Sequence, residues 1–193
     1  REFGTSSPEE QREMLDLIIE QGQQLRVLIE DLVDASRVEF GTLRVEDDEV
    51  DLAVVVDRVA RSLADAPNPL VVELPDPLEH VRADESRLQQ IIANLVGNAM
   101  KHSPGGSPVE IQLRPDDERL AVAVVDHGQG IDPEFLPSIF EPFAQQERGA
   151  ARGTGLGLGL YIVRGLVEAM GGTIEAHSTP GVGSEFVVRL RRA

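Results

Sequence analysis

Apolar and small residues recur at alternating steps of three and four along residues 15–36, a spacing that strongly constrains the fold. The positions are Leu15, Ile18, Gly22, Leu25, Ile29, Leu32 and Ser36. This spacing places a narrow stripe along one side of a helix, as in a coiled coil. We predict one long helix that runs to about Glu39 and stops near Gly41. At 1.5 Å per residue, about 32 residues would span about 48 Å.

The start of this helix is marked by the sequence Ser7-Pro8-Glu9-Glu10. It offers an N-cap hydroxyl, a proline at the first helical position and acidic first-turn residues. Residues 1–7 read as translated cloning sites, so we exclude them from the fold and expect the chain to be part of a longer protein. No second long helix follows directly. The stripe therefore needs a partner upstream or in another chain, unless the helix belongs to the core of the main domain.

The rest of the chain alternates between helical and strand patterns. Predicted strands are 43–45 (doubtful), 70–74, 109–113, 120–125, 173–177 and 184–190, and predicted helices are 51–64, 84–102 and a segment ending near 170. Neighbouring late strands joined by short turns favour an α+β fold. We predict a two-layer sandwich, in which three helices cover a mixed, mainly antiparallel sheet of five or six strands. The predicted parts are the long helix (8–41) and this domain (42–193).

Charge and cysteine content exclude several classes of function. The formal net charge is −16 and the chain has no cysteine. A strongly acidic surface repels a phosphate backbone, so nucleic acid is not an expected partner. Thiolate nucleophiles, disulfides and cysteine-based zinc sites are excluded. The sequence also has no apolar run of the roughly 18 residues that a membrane span needs.

The first chemical motif is Asn94-x-x-x-Asn98-x-x-Lys101 on the helix predicted for residues 84–102. Residues four apart share one helix face, and Lys101 lies about one turn beyond Asn98. A carboxamide oxygen suits Mg²⁺ that also holds substrate phosphates, and a lysine supplies a cation for those phosphates. On the helix alone, two solvated asparagines are an equally good reading.

The second motif is Asp126-His127-Gly128-Gln129-Gly130, directly after an apolar strand. A carboxylate at the end of a buried strand must be satisfied, and it can accept a hydrogen bond from an exocyclic amine such as N6 of adenine. The two glycines let the backbone turn sharply and approach a flat base. An ordinary Asp-x-Gly turn is the alternative.

The third motif places glycines at alternate positions 153, 155, 157 and 159, before an apolar helix. Glycines before a helix N-terminus present free N–H groups that bind phosphate. The motif lacks the Gly-Lys-Ser/Thr ending of a Walker loop. The preceding stretch, 144–152, is long and polar and resembles a mobile lid. Arg148 or Arg152 would reach the phosphates on closure, although at least one of them is expected to stay at the surface.

The order of these motifs resembles the catalytic ATP-binding domain of sensor histidine kinases. The resemblance includes the three motifs above, the Phe140-Glu141-Pro142-Phe143 segment between the second and third, and a late Gly181-x-Gly183-Ser184-x-Phe186 motif. That domain belongs to a wider group of ATPases that includes gyrase, a heat-shock chaperone and mismatch-repair proteins. The end of the long helix, 31–37 followed by Gly41, resembles the second helix of the dimerisation and phosphotransfer hairpin.

This resemblance implies roles for individual residues. Asn98 would coordinate Mg²⁺, and Asn94, Asn98 and Lys101 would form the catalytic set. Lys101 would contact phosphate, and His102 would pack near adenine. Asp126 would bind the adenine amine, and Phe140 and Phe143 would anchor the lid. The implied nucleotide-binding positions are Asn98, Lys101, His102, Asp126, Gly128, Gly130, Ile131, Phe143, Arg148, Arg152, Thr154, Gly155, Leu156, Gly157, Leu158 and Gly159.

Two departures from the ATPase and kinase patterns shape the expected reaction. In the ATP-hydrolysing relatives, a Glu four residues before the magnesium-binding Asn activates water. Asn94 occupies that position here, and an amide cannot act as a general base. This favours phosphoryl transfer to a protein histidine. The chain's histidines, His80, His102, His127 and His177, lack the context of the family's acceptor. We therefore expect Mg-ATP binding without autophosphorylation of this chain.

Partners and location follow from the same resemblance. The expected partners are ATP, a histidine-bearing helix of the same or a partner protomer, and a response-regulator receiver domain, in a cytoplasmic homodimer whose membrane anchoring stays open. Two other readings remain. A clamp or chaperone ATPase would need a base at Asn94, and a non-catalytic dimerisation module would need a degenerate nucleotide site.

Overall fold

The chain folds as one long helix followed by an α+β domain. The computed structural model describes residues 7–63, 66–75, 80–145 and 156–193. The elements are α1 (Pro8–Glu39), β1 (Asp48–Asp51), α2 (Leu52–Ser62), β2 (Leu70–Glu73), β3 (His80–Ala83), α3 (Glu85–His102), β4 (Val109–Asp116), β5 (Arg119–Asp126), a 3-10 turn (Leu136–Ser138), α4 (Gly159–Ala169), β6 (Thr173–Thr179) and β7 (Gly183–Arg191).

Five of the strands form one mixed sheet in the order β2-β4-β5-β7-β6. The β2 strand pairs with β4 in parallel, and the other neighbours pair antiparallel. The short strands β1 and β3 form a separate antiparallel pair. The predicted mixed, mainly antiparallel sheet is therefore confirmed, with five strands in the main sheet.

Three helices, α2, α3 and α4, supply much of the apolar core that packs against this sheet. Along β4 the burial alternates, so that Val109, Ile111 and Leu113 point into the core. The buried face of α3 contributes Leu88, Ile91, Ile92, Leu95, Val96 and Ala99. Burying each large side chain contributes about 1.5–3 kcal/mol. This two-layer packing fixes α3 and the end of β5 relative to each other.

Side chains cap the starts of α1, α2 and α3. The Ser7 hydroxyl accepts a hydrogen bond from the Glu10 N–H, and the Glu10 carboxylate accepts one from the Ser7 N–H, which completes a capping box. Asp51 caps α2 by accepting from the Ala53 N–H, and Asp84 caps α3 by accepting from the Arg87 N–H. These caps set where each helix begins.

The C-terminal end of the long helix α1 contacts the domain. Ala35 is buried, and Asp34 is 6% exposed and accepts hydrogen bonds from Arg87 and Gln90 of α3 at 3.0 and 2.9 Å. The rest of the helix exposes large apolar side chains: Met14, Leu15, Leu17, Ile18, Ile19, Leu25, Val27, Ile29, Leu32 and Val33. The predicted helix from residue 8 to Glu39 is confirmed, and its apolar stripe lies open along most of its length.

The expectation of a strand at 43–45 is wrong. Residues 42–47 form no regular element, although Leu43 and Val45 pack against the core as an extended segment. The first strand lies a few residues later, at Asp48–Asp51, and pairs with β3. Packing of two apolar side chains does not make a strand when no neighbouring strand offers hydrogen bonds.

Candidate functional site

Helix α3 brings the predicted phosphate and magnesium residues to one end of the domain. Asn94 and Asn98 are half-buried, and Lys101, in the last turn, is exposed. Asn94 faces the start of α4, since its Oδ1 lies 3.9 Å from the position a Cβ would take at Gly159. The structure therefore brings the asparagine motif and the end of the glycine motif together, although they are 65 residues apart in sequence.

Asp126 ends β5 with its carboxylate buried at 5% exposure. Its Oδ1 accepts a hydrogen bond of 2.8 Å from the Gly128 N–H. A Cβ at Gly128 would collide with the carbonyl oxygen of His102, so only glycine fits there. The carboxylate motif thus lies directly against the end of α3.

The loop after β5 is also fixed on its other side. Gly130 has a φ of +66°, and a Cβ there would collide with the carbonyl oxygen of Thr179 in β6. The Gly181 N–H donates to the Gln129 carbonyl oxygen at 2.8 Å. Ile131, half-buried, follows this tight turn. The loop from 127 to 131 is therefore held against the turn between β6 and β7.

The charge state of His102 depends on its neighbours. Burial lowers the pKa of His102 below its ordinary value, and the nearby Lys101 cation lowers it further, while the Asp126 carboxylate partly opposes both. The neutral ring is therefore the favoured form at pH 7. A neutral ring beside Asp126 offers a flat surface without a competing charge.

The start of α4 presents an uncapped helix N-terminus. Leu158 occupies the N-cap position and provides no side-chain hydrogen bond. Within the described residues, the N-cap side chain therefore satisfies none of the first N–H groups of α4, and such groups can bind an anion. Leu158 is 1% exposed and belongs to the core, and its contact with a nucleotide stays a prediction. Leu156, two residues earlier, is 38% exposed.

Gly157 of the glycine motif lies against Ala144, the first residue of the predicted lid. Its φ is +72°, and a Cβ would lie 2.8 Å from the Ala144 carbonyl oxygen. Ala144 and Gly157, thirteen residues apart in sequence, therefore touch. Four predicted lid or phosphate residues, Arg148, Arg152, Thr154 and Gly155, lie outside the described residues.

The two phenylalanines before the lid differ. Phe140 is half-buried and packs edge-to-face on Phe186, with ring centroids 6.5 Å apart. Phe143 is 61% exposed and has a φ of +62°, a backbone conformation that is uncommon outside glycine. Phe140 is therefore packed into the domain, whereas the lid-anchoring role of Phe143 stays a prediction.

The residues present fit a magnesium ion held jointly with phosphates. Among the described residues no group of three or more His, Asp or Glu side chains could hold a metal by itself. Mg²⁺ in nucleotide sites usually takes one or two protein oxygens, with phosphates and water filling the other positions. The carboxamide of Asn98 could supply one such oxygen, one helical turn before Lys101 on α3.

Two serines that sequence reasoning did not assign to the site lie beside Asp126. Ser184 is directly opposite Asp126 in the β5–β7 pairing, and Ser178 is opposite Ser184 in the β6–β7 pairing. Paired residues point to the same face of a sheet, so the three side chains form a row. In the sequence, Ser184 was noted only as part of the late glycine motif, and Ser178 belonged to no motif.

A cleft elsewhere in the domain is a weaker candidate for the functional site. A space of about 400 Å³ lies between the segment after α1 and the C-terminal end of α4, and is lined in part by Glu46, Met170 and Arg191. Two of its charged side chains engage each other, Asp47 and Arg191 at 3.4 Å, and Asp47 also pairs with Arg82 at 3.2 Å. We assign the functional site to the end of the domain that carries Asp126, Asn98 and the start of α4.

Comparison with known proteins identifies the family. Residues 83–193 match the family model described as histidine kinase-, DNA gyrase B- and HSP90-like ATPase. The chain belongs to this ATPase family, as the fold and the placement of its motifs indicated.

Curated relatives are sensor kinases. The chain is 36% identical over 177 residues to the signal transduction histidine-protein kinase AfsQ2 of Streptomyces coelicolor, covering 90% of this chain and 32% of the relative. It is 38% identical over 191 residues to the autoinducer 2 sensor kinase/phosphatase LuxQ of Vibrio cholerae, covering 94% and 22%. The chain therefore spans about a third or less of the length of these relatives.

Solved structures of sensor kinases share the fold of the whole chain. Full-length ShkA in complex with AMPPNP superposes with a TM-score of 0.83 at 30% identity, covering 98% of this chain and 40% of that one. The Acinetobacter baumannii histidine kinase AdeS gives a TM-score of 0.78 at 26% identity, covering 97% and 87%. In the described part of this chain, no helix has the length and apolar run needed to cross a bilayer.

Proposed function

We propose that this chain binds Mg-ATP and is the catalytic ATP-binding portion of a two-component sensor histidine kinase. It would present the γ-phosphoryl group of ATP to a histidine, for onward transfer to an aspartate of a response regulator. The family membership and the sensor kinases among its relatives support this function.

The observation that carries the proposal is the buried Asp126 carboxylate at the end of β5. A carboxylate has two acceptor oxygens, and the Gly128 N–H engages Oδ1. We assign Oδ2 to the exocyclic amine of adenine. The Gly128–Ile131 loop and the neutral His102 ring would enclose the base.

The phosphates would lie between α3 and α4. The uncapped start of α4 supplies N–H groups and a positive helix dipole, and Lys101 supplies a cation. Asn98 would hold the magnesium ion, which neutralises phosphate charge during transfer. Arg148, Arg152, Thr154 and Gly155 would complete this end of the site.

Asn94 supports transfer over hydrolysis. It lies beside the start of α4, where we place the phosphates, and an amide there cannot act as the general base that would activate water. Water would therefore be a poor competitor for the phosphoryl group. The acceptor would be a histidine outside these 193 residues, since His80, His102, His127 and His177 all lie in the ATP-binding part.

The open stripe of α1 supports a helical partner. Its large apolar side chains are 44–60% exposed, and stripes of this spacing pair with other helices. We propose that α1 belongs to a dimerisation and phosphotransfer hairpin of a homodimeric, cytoplasmic kinase portion.

Two measurements test this function. Calorimetric titration with a non-hydrolysable ATP analogue should show binding that weakens at least tenfold when Mg²⁺ is chelated, and that weakens less on chelation in Asn98→Ala. Incubation with γ-labelled ATP should leave no acid-labile label on this chain. Absence of nucleotide binding to the folded wild-type chain would refute the proposal, and labelling of the chain would refute the external acceptor.

A further inference from the structure

A single hydroxyl in β6 connects the three chain segments that form the adenine end of the site. Ser178 Oγ accepts a hydrogen bond of 2.8 Å from the Ile131 N–H. The same oxygen lies 2.8 Å from the Gly183 carbonyl oxygen and 3.0 Å from Ser184 Oγ. The loop after β5, the β6 strand and the start of β7 therefore meet at one atom.

The hydrogen-bond inventory of a hydroxyl fixes the direction of each bond. Ser178 has one O–H to donate and two lone pairs to accept. A carbonyl can only accept, so the Ser178 proton goes to Gly183. The Ile131 N–H fills one lone pair, and the Ser184 O–H must then donate to the other. Ser178 thus decides which way the Ser184 hydroxyl points.

The orientation of Ser184 matters because of its neighbour. Ser184 is 7% exposed and lies directly opposite Asp126 in the sheet. Its proton is committed to Ser178, so it presents lone pairs, and not a proton, to its other surroundings. The Asp126 carboxylate consequently keeps its acceptor capacity for a ligand.

We infer that Ser178 is a positioning residue for adenine recognition, acting through the Ile131 backbone and the Ser184 hydroxyl. This inference rests on the proposed function, since it concerns the same nucleotide site. It predicts that removal of the Ser178 hydroxyl lowers selectivity for a base with an exocyclic amine. A general loss of stability would instead weaken all nucleotides alike and leave the selectivity unchanged.

The test uses an isosteric pair of variants, Ser178→Thr and Ser178→Val. The two side chains have nearly the same shape and both suit a strand, but only threonine keeps the hydroxyl. Thr173→Ala is the control, because it removes an exposed side-chain hydroxyl from the other end of β6, five residues or about 17 Å away. Affinities for ATP and for inosine triphosphate, which lacks the amine, are measured by competition in the folded chain.

We expect Ser178→Thr and Thr173→Ala to retain the wild-type affinity ratio of ATP to inosine triphosphate within twofold. Ser178→Val should bind ATP about tenfold more weakly, and its ratio of ATP affinity to inosine triphosphate affinity should fall at least fivefold. Equal ratios in the threonine and valine variants would overturn the inference while leaving the proposed function intact. Failure of the wild type to bind ATP would instead refute the proposed function.

Hydrogen exchange provides the second measurement if Ser178→Val does not fold. In the wild type and in Ser178→Thr, the Ile131 amide should exchange at least a hundredfold more slowly than an unprotected amide in the absence of nucleotide. Exchange of this amide at the unprotected rate would show that the Ser178 hydrogen bond does not hold the loop, and would overturn the inference.

Discussion

Val38 of α1 packs directly on Gly165 of α4. A Cβ built at Gly165 would lie 2.5 Å from Val38 Cγ2 and 2.6 Å from Cγ1, so the absence of a side chain at 165 permits the contact. Beside it, the Tyr161 hydroxyl donates to the Glu39 carboxylate at 2.9 Å. The long helix is therefore docked on the same helix whose start lies next to Asn94.

Adding one methyl group at this contact should separate α1 from α4. Gly165→Ala would overpack the Val38 contact and cost about 1–3 kcal/mol, despite the better helix propensity of alanine. Gly97→Ala is the matched control, because nothing lies within 4 Å of a Cβ at that helical position. It should be neutral or stabilising by up to about 1 kcal/mol. Urea unfolding measures both, and equal effects would contradict the packing described here.

Two neighbouring aspartates of α1 should respond oppositely to neutralisation. Asp34 accepts from Arg87 and Gln90 in a largely buried position, so Asp34→Ala should cost about 1–3 kcal/mol and free the end of α1. Burial, followed by the charges of Asp34 and Glu30, raises the pKa of Asp31. Its ionised form therefore opposes folding at neutral pH, and this cost disappears as the pH falls through its folded value.

Asp31→Asn should accordingly be neutral or slightly stabilising at pH 7. The advantage of Asp31→Asn should shrink in acid, when the wild-type carboxyl becomes protonated. Denaturant unfolding at pH 7 and at pH 4 gives both comparisons, and hydrogen exchange of residues 34–39 reports release of α1. Destabilisation of similar size by both substitutions at pH 7 would contradict the assigned roles.

The titration of His102 should shift in opposite directions with its two charged neighbours. Burial and Lys101 lower the pKa of His102 below its ordinary value of 6.5, and Asp126 raises it. Lys101→Met should therefore bring the pKa closer to 6.5, and Asp126→Asn should lower it further. NMR titration of the ring protons measures this. A His102 pKa unchanged by both substitutions would show that these groups do not face each other.

The cap of α3 should control stability in acid. Burial alone would raise the pKa of Asp84, but hydrogen bonds from the Arg87 and Glu46 N–H groups outweigh it and hold the pKa below the ordinary 3.8. A carboxyl with a lowered folded pKa adds stability above its unfolded pKa and loses it as the pH falls through the folded value. Asp84→Ala should cost about 1–2 kcal/mol at pH 7 and progressively less below pH 4. A pH-independent cost, measured by denaturant unfolding, would contradict this origin.

The sequence predicted the elements whose patterns are local. Residues 8–39 formed the expected long helix, and Ser7 caps its start as its residue type suggested. The sequence showed no local pattern that predicted the strands β1 and β3. Each has four residues, Asp-Glu-Val-Asp and His-Val-Arg-Ala, and they form because they pair with each other, although α2 and β2 lie between them in sequence.

Candidate site residues could be predicted from the sequence where the residue type itself suggests the chemistry. They could not be predicted where the role depends on tertiary contacts. Asp126, Asn98 and the glycine motif stood out by composition and order. Ser178 did not, since its role depends on strand register, which places it opposite Ser184 and next to Ile131. The burial of Leu158 and the exposure of Phe143 likewise follow from packing and backbone conformation that the sequence does not display.

The central claim is that the Asp126 carboxylate reads the amine of adenine, and calorimetric titration of Asp126→Asn with an ATP analogue tests it most directly. Asp116→Asn, at the far end of β4, is the matched control, because it neutralises an aspartate that pairs with Arg189. We predict at least tenfold weaker binding in Asp126→Asn, or about 1.4 kcal/mol or more, and wild-type affinity in Asp116→Asn. Unchanged affinity in a folded Asp126→Asn variant would contradict the account.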